Sequence, residues 1–231
     1  MYRNLDYSDL GLIDYNIAWS LQKEIFNLRL NNEISDTLFL LEHPHTYTLG
    51  KAADKENLIS SDEQLKELGI NVYEIDRGGD ITYHGPGQLV GYPIIKLTEW
   101  KQDTHKYLRG LEEVIMMTCS DYGISTERNS KYTGVWIGSK KIAAIGIKVS
   151  RWITMHGFAF NANTDLNYFG GIIPCGIKDK EVTSLKNELG AEVNIKEVKD
   201  KFVQNFQKFF NYENISVKDK SSYEKLLILE S

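Results

Sequence analysis

Three groups of residues in this chain are suited to chemistry. The first is Arg77-Gly78-Gly79-Asp80-Ile81-Thr82-Tyr83-His84-Gly85-Pro86-Gly87, which packs four of the chain's 18 glycines into eleven residues. Glycine at this density lets backbone N–H groups approach a ligand and adopt positive φ. The Arg, Tyr and His among the glycines separate it from a Ser-rich linker, so it reads as a binding loop on a rigid scaffold. A hairpin with special turn needs is the plainer alternative. The second group is Pro174-Cys175-Gly176. Proline restricts the approach to the thiol, and glycine removes a side chain just after it. A nucleophilic thiol must ionise, yet an unperturbed cysteine (pKa about 8.5) is mostly protonated at neutral pH. A nearby cation lowers that value, and Lys141, Lys148, His84, His156 and Arg77 are candidates. The third group is Lys141 itself, at the mouth of the apolar strand Ile142-Ala143-Ala144-Ile145-Gly146-Ile147. Partial desolvation there favours the neutral amine. The plainer readings are a loop cysteine without consequence and two solvated hairpin lysines, Lys140 and Lys141.

The elements that must position these groups follow from periodicity. Residues 14–31 have helical spacing, with Ile17, Leu21, Ile25 and Leu28 on one stripe. Residues 37–41 make a short strand ended by Glu42-His43-Pro44. Ser61 caps a short helix that stops at Gly69. Strand patterns at 72–75 and 88–97 flank the glycine loop. Residues 103–122 form a second long helix with Leu108, Leu111, Val114 and Ile115 inward and Gly123 at its end. Cys119, in the apolar run of this helix, reads as a small hydrophobe. Three strands follow at 132–137, 141–149 and 152–161, the first two joined by a Gly138-Ser139 turn. Residues 163–171 form a turn and short helix. Asn194 caps a last amphipathic helix to Phe210, with Glu197 placed for a capping box. Residues 212–231 read as a polar tail ending in Leu226-Leu227-Ile228-Leu229. Together these predict one α+β domain over residues 1–231, with a mixed, mostly antiparallel sheet flanked by helices.

Composition narrows the function. No apolar run approaches the ~20 residues of a membrane helix, and no secretory signal opens the chain, which predicts a cytoplasmic protein. The net charge of -5 speaks against nucleic acid as the main partner. The two cysteines, without a secretion signal, are not expected to pair.

The run from Arg77 to Val90 followed by Gly91-Tyr92-Pro93 resembles the signature of the lipoate-protein ligase B type octanoyltransferases. So do Leu41-Glu42-His43-Pro44, Lys141-Ile142-Ala143-Ala144-Ile145-Gly146, His156-Gly157-Phe158-Ala159-Phe160-Asn161 and Pro174-Cys175-Gly176. The resemblance covers residues 10–185 and implies the fold of the biotin and lipoate ligase catalytic domains. It also implies a reaction, transfer of an octanoyl group from octanoyl-acyl carrier protein to a lysine amine on a lipoyl carrier domain. The expected acceptors are the lipoyl domains of 2-oxoacid dehydrogenases and the glycine cleavage H protein. Cys175 matches the family's nucleophile and Lys141 its partner. The substrate-binding stretches fall on Arg77, Gly78, Gly79, Asp80, Ile81, Thr82, Tyr83 and His84, on Ala144, Ile145 and Gly146, and on Gly157, Phe158 and Ala159. No cofactor or metal is implied, because exchange between thioesters is nearly balanced and needs no ATP.

Asp80 stands where many members have Gln, which leaves that polar contact open. Tyr83 is expected to pack on the acyl chain, and Phe158 and Phe160 to trim its pocket. Ala143, Ala144, Gly146 and Gly157 are expected to leave the slot open. His43 is expected to cap a strand end and wall the site. A basic patch of Arg77, Lys51, Lys148 and Arg151 would answer the chain's acidity toward an acidic carrier. The competing readings are an ATP-dependent ligase on the same fold and a non-catalytic acyl- or carrier-binding protein. A third is amidotransfer between two lipoyl carriers.

Overall fold

The run Asp36-Thr37-Leu38-Phe39-Leu40-Leu41 is buried on both faces, so it can only be an interior strand. A computed structural model describes residues 3–173, 181–223 and 226; Pro174, Cys175, Gly176 and residues 227–229 lie outside them. In chain order the main elements are β1 (Asn4–Leu12), α1 (Tyr15–Leu30), β2 (Asp36–Glu42), β3 (Thr46–Leu49), α2 (Asp62–Glu67), β4 (Asn71–Glu74), β5 (Ile81–His84) and β6 (Gln88–Ile94). Then come α3 (Thr104–Ser120), β7 (Glu127–Arg128), β8 (Val135–Ile137), β9 (Lys140–Ser150), β10 (Ile153–Asn161), α4 (Leu185–Leu189), α5 (Ile195–Phe210) and β11 (Asn214–Val217). The order across the eight-stranded sheet is β11-β1-β2-β6-β10-β9-β8-β7. β1 runs parallel to β2 and β11, and the other neighbours are antiparallel. A smaller sheet, β4-β3-β5, carries the glycine loop between β4 and β5.

Alternation along β2 sends Leu38 and Leu40 to one face and Phe39 and Leu41 to the other. The first pair joins Leu111, Val114, Ile115, Phe202 and Phe206 under α3 and α5. The second joins Leu21, Ile25 and Phe26 under α1. A third cluster, including Tyr47, Leu49, Ile81 and Tyr83, underlies the small sheet. Cys119 is fully buried in the first cluster, and burial pushes its thiol up to about 12. That suits a packing residue, not a nucleophile. Among the described residues no helix is long and apolar enough to cross a membrane.

The structure departs from the sequence expectation in four places. The inner face of α1 is Ala18, Leu21, Gln22, Ile25, Phe26 and Arg29, and Ile17 is 45% exposed. Two polar residues displace the apolar stripe because both are bonded inside. Gln22 Oε1 accepts the His156 N–H at 2.8 Å, and Arg29 Nε donates to Asp36 at 2.9 Å. Second, β1, β3, α4, β7 and β11 have no counterpart in the sequence reading, and β5 falls inside the stretch read as the glycine loop. Third, the stretch read as a polar tail contains β11, which pairs parallel with β1, and Tyr212, which is 4% exposed. Both contacts join the two ends of the chain, so no local pattern announces them. Fourth, Asn194 caps α5 by accepting from Lys196 N at 3.0 Å, while the Glu197 carboxylate faces Lys201 at 3.5 Å.

Candidate active site

Lys141 and Ala144 are three residues apart, so in a regular strand they face opposite sides of the sheet. Here they share a cavity. The cause is a β-bulge: Val135 pairs with Ala143, but the next residue, Trp136, pairs with Lys141. The extra residue lets Ile142 and Ala143 both enter the core beneath α3, and Lys141 turns onto the face of Ala144 and Gly146. Re-aiming a side chain is a recurrent use of bulges beside sites. The Lys141 ammonium lies 4.8 Å from the Trp136 ring centre. Its backbone is held on the other side as well: Lys141 N donates to Glu181 O, and Thr183 N donates to Lys141 O, both at 2.9 Å.

The cavity has a volume of about 510 Å³. Its floor pairs Gly146 with Gly157 and Ala144 with Ala159 across β9 and β10; directly opposed residues share a face. Such small side chains leave an open slot. From Lys141 to Ile147, beside His156, is about 20 Å of strand, longer than an extended eight-carbon chain. The glycine loop closes over the floor through Gly78 N, which donates to Ile147 O at 3.0 Å. A Cβ on Gly146 would stand 2.8 Å from Gly78 O and 2.9 Å from Arg77 Cδ, so this contact requires glycine.

Arg77 anchors the loop. It is 8% exposed, and its Nη2 donates to Thr48 O at 2.8 Å and Thr48 Oγ1 at 2.9 Å. Thr48 Oγ1 meets His84 Nε2 at 3.3 Å, and His84 Nδ1 meets Gln88 Oε1 at 2.9 Å. Gln88 Nε2 donates to Tyr83 O and Asn161 Oδ1, so its Oε1 accepts and His84 Nδ1 carries the proton. Burial holds His84 well below its usual pKa, with His43 and Arg77 adding to the effect. It is therefore a neutral link whose Nε2 accepts from Thr48. Asn161 Nδ2 then donates to Thr183 O at 2.9 Å. One hydrogen-bonded chain thus ties the glycine loop to the segment beside Lys141.

At the other end, His156 Nε2 contacts Asp76 Oδ1 at 2.8 Å, and Lys148 also pairs with Asp76. The bond from His156, with Lys148 adding, holds the Asp76 carboxyl well below its usual range. Burial lowers the pKa of His156. Behind them His43 is fully buried, with Nδ1 at 2.7 Å from Ile13 O and Nε2 at 2.7 Å from Tyr92 OH. Tyr92 and Tyr15 line the cavity and His43 does not.

Arg77, Gly78, Gly79, Asp80, Ile81, Thr82, His84, Lys141, Ala144, Ile145, Gly146, Gly157, Phe158 and Ala159 all line this one cavity. Tyr83 does not: it is fully buried, meets His45 at 2.8 Å and stacks on Tyr168. Alternation along β5 turns it away from Thr82 and His84. Ala143 and Phe160 also face the core and not the slot. Cys175 lies outside the described residues. Before it in sequence, Ile173 N donates to Asn57 O at 2.8 Å; after it, Glu181 is held by Lys141. Asp80 accepts from Asn57 Nδ2 at 2.7 Å and from Ile81 N at 2.7 Å, so its contact is within the loop's own support. The expected basic patch is divided: Arg77 serves the loop, Lys148 pairs with Asp76, and Arg151 lies over the Phe26 ring. Among the described residues no group of three or more His, Cys, Asp or Glu could hold a metal.

Sequence reasoning missed Thr48, Asp76 and Tyr15. Thr48 lies on β3, whose alternating Thr46-Tyr47-Thr48-Leu49 was readable as a strand. Asp76 adjoins Arg77 in sequence, but its partners are His156 and Lys148 on distant strands, so its role carried no local signal. Tyr15 carried none, because its place depends on how α1 meets the small sheet.

Residues 14–207 match the lipoyl protein ligase A/B catalytic domain. The octanoyltransferase of Christiangramia forsetii is 48% identical over 230 residues, covering 92% of this chain and 98% of its own. That of Rubrobacter xylanophilus is 52% identical over 199 residues, covering 85% and 89%. Among solved structures, lipoate-protein ligase A bound with ATP superposes with a TM-score of 0.79 at 17% identity, covering 98% of this chain and 93% of that one. The biotin protein ligase of Aquifex aeolicus gives 0.51 at 15% identity, over 91% and 70%. These structures share the fold. With the full-length likeness to octanoyltransferases, they lead to one conclusion: the chain belongs to the family of the lipoyl protein ligase A/B catalytic domain, among its octanoyltransferases.

Proposed function

We propose that this enzyme takes an octanoyl group from octanoyl-acyl carrier protein onto Cys175 and passes it to a lysine amine of a lipoyl carrier domain. The lipoyl domains of 2-oxoacid dehydrogenases and the glycine cleavage H protein are the acceptors of this reading, and the cytoplasm is its compartment. The observation that carries it is the bulge in β9, which brings Lys141 onto the open Ala-Gly floor, its backbone bonded to Glu181 and Thr183, which follow Cys175 in sequence. The Cys175 thiolate attacks the thioester carbonyl, the bond from that carbon to the carrier sulfur breaks, and the carrier leaves as its thiolate. The acceptor ammonium must lose a proton before it attacks the acyl-enzyme, and Lys141 is the residue of this reading that takes that proton. The amide formed is far more stable than a thioester and draws the reaction forward. Each buried methylene adds up to about 0.8 kcal/mol to binding of the chain.

An ATP-dependent ligase is the second reading, favoured by the superposition on a ligase that binds ATP. Intact-protein mass after mixing with octanoyl carrier protein, without ATP, separates the two. We expect one added octanoyl group on the wild type and none on Cys175→Ala. Activity that appears only with ATP and free octanoate would replace the transferase reading.

A further inference from the structure

Glu112 lies in the middle of α3 and is fully buried, away from the chemistry described above. A buried carboxylate needs partners, and these all point to one place. Its Oε1 accepts the Gly134 N–H at 3.1 Å. Its Oε2 takes Arg109 Nη1 at 2.7 Å and Arg128 Nε at 3.1 Å. Arg128 and Gly134 bracket the loop 129–133, three residues of which, Lys131, Tyr132 and Thr133, line the cavity. Gly134 has φ +126°, and a Cβ there would meet Ala143 O at 2.5 Å and Lys141 Cε at 3.4 Å. The Lys141 side chain therefore lies directly against this glycine.

We propose that Glu112 is a positioning residue, whose carboxylate clips both ends of the 129–133 loop and so holds the wall against which Lys141 lies. The inference rests on the reading of Lys141 as the residue that moves the proton. Arg109 supplies the comparison. It shares the Glu112 carboxylate, but its side chain is half-exposed, and its own contact with the loop is made by its backbone carbonyl, which accepts from Arg128 Nη2 at 3.2 Å and is kept in Arg109→Ala.

The test is octanoyl transfer at equal folded fraction, with amide exchange read at Gly134. In Glu112→Ala, kcat falls about tenfold or more and the Gly134 amide exchanges faster. Glu112→Gln keeps an oxygen for Gly134 but turns an NH2 toward the Arg128 and Arg109 donors, so it restores protection of the Gly134 amide while kcat falls between those of wild type and Glu112→Ala. Arg109→Ala stays within about twofold of wild type, as expected of a half-exposed ion pair. Should Glu112→Ala not fold, Arg128→Ala opens one end of the clip and lowers kcat about threefold or more. Wild-type kcat in Glu112→Ala, or in Arg128→Ala when it carries the test, overturns the inference, as does faster Gly134 exchange without loss of rate. Lys141→Ala runs beside them. If it keeps full activity, the reading of Lys141 falls and this inference with it. If it is inactive while Glu112→Ala is normal, only the inference falls.

Discussion

At the scale of single residues the site is built on contacts with little room for change. Gly146 shows this, since the glycine loop passes over it at backbone distance. Gly146→Ala must push Gly78 and Arg77 off the floor, at an overpacking cost of about 1–3 kcal/mol. We expect a lower melting temperature and a raised KM for the acyl donor; wild-type values for both would show that the loop does not rest there. The buried imidazoles give a pH signature. Burial lowers His43 from 6.5 to about 4 and moves His84 and His156 the same way. Between those values the unfolded chain binds protons that the folded chain refuses, so stability rises with pH across that window and levels off above it. Urea denaturation at pH 4.5 and pH 7 should show this rise, and His43→Gln should show a smaller one. An equal slope in the variant would remove His43 from the account.

At the scale of elements, the irregularity in β9 matters more than the strand itself. A regular pairing with β8 would send Lys141 to the face opposite Ala144 and Gly146. Deleting Ile142 removes the extra residue and leaves Lys141 two positions from Ala144, still opposite Trp136 and on the face of the floor. The buried Ile142 side chain goes with it, so we expect a lower melting temperature but a transfer rate within about tenfold of wild type. A loss of ~10²-fold or more would mean that the bulge geometry itself, and not the facing it produces, places Lys141. The strand was readable from its apolar run, and the lysine from its place at the strand's start. The bulge was not, because it arises from pairing with Trp136 and from two consecutive apolar residues competing for one core.

At the scale of the whole molecule, a buried charge network ties the ends of the chain together. Asp36 receives Arg3 Nη2 at 2.8 Å, Arg29 Nε at 2.9 Å, Tyr212 OH at 2.8 Å and Lys96 N at 2.9 Å. Removing the carboxylate strands two buried guanidinium groups, so Asp36→Ala should cost about 3–5 kcal/mol. Chemical denaturation would measure it, and a loss under 1 kcal/mol would mean that water reaches the network.

What the sequence determined by itself is local: the capped helices, the apolar strands, the small residues of the floor and the glycine loop with its Arg and His. Each follows from periodicity, caps or composition over a few neighbouring residues. Only the tertiary structure decided that Lys141 faces the floor, that Tyr83 does not, that Gln22 and Arg29 turn inward, and that the polar C-terminal stretch adds an edge strand beside β1. Those outcomes depend on partners far apart in the chain, on a register and on buried polar groups finding each other. Their free energies belong to pairs of segments and leave no trace in either segment alone.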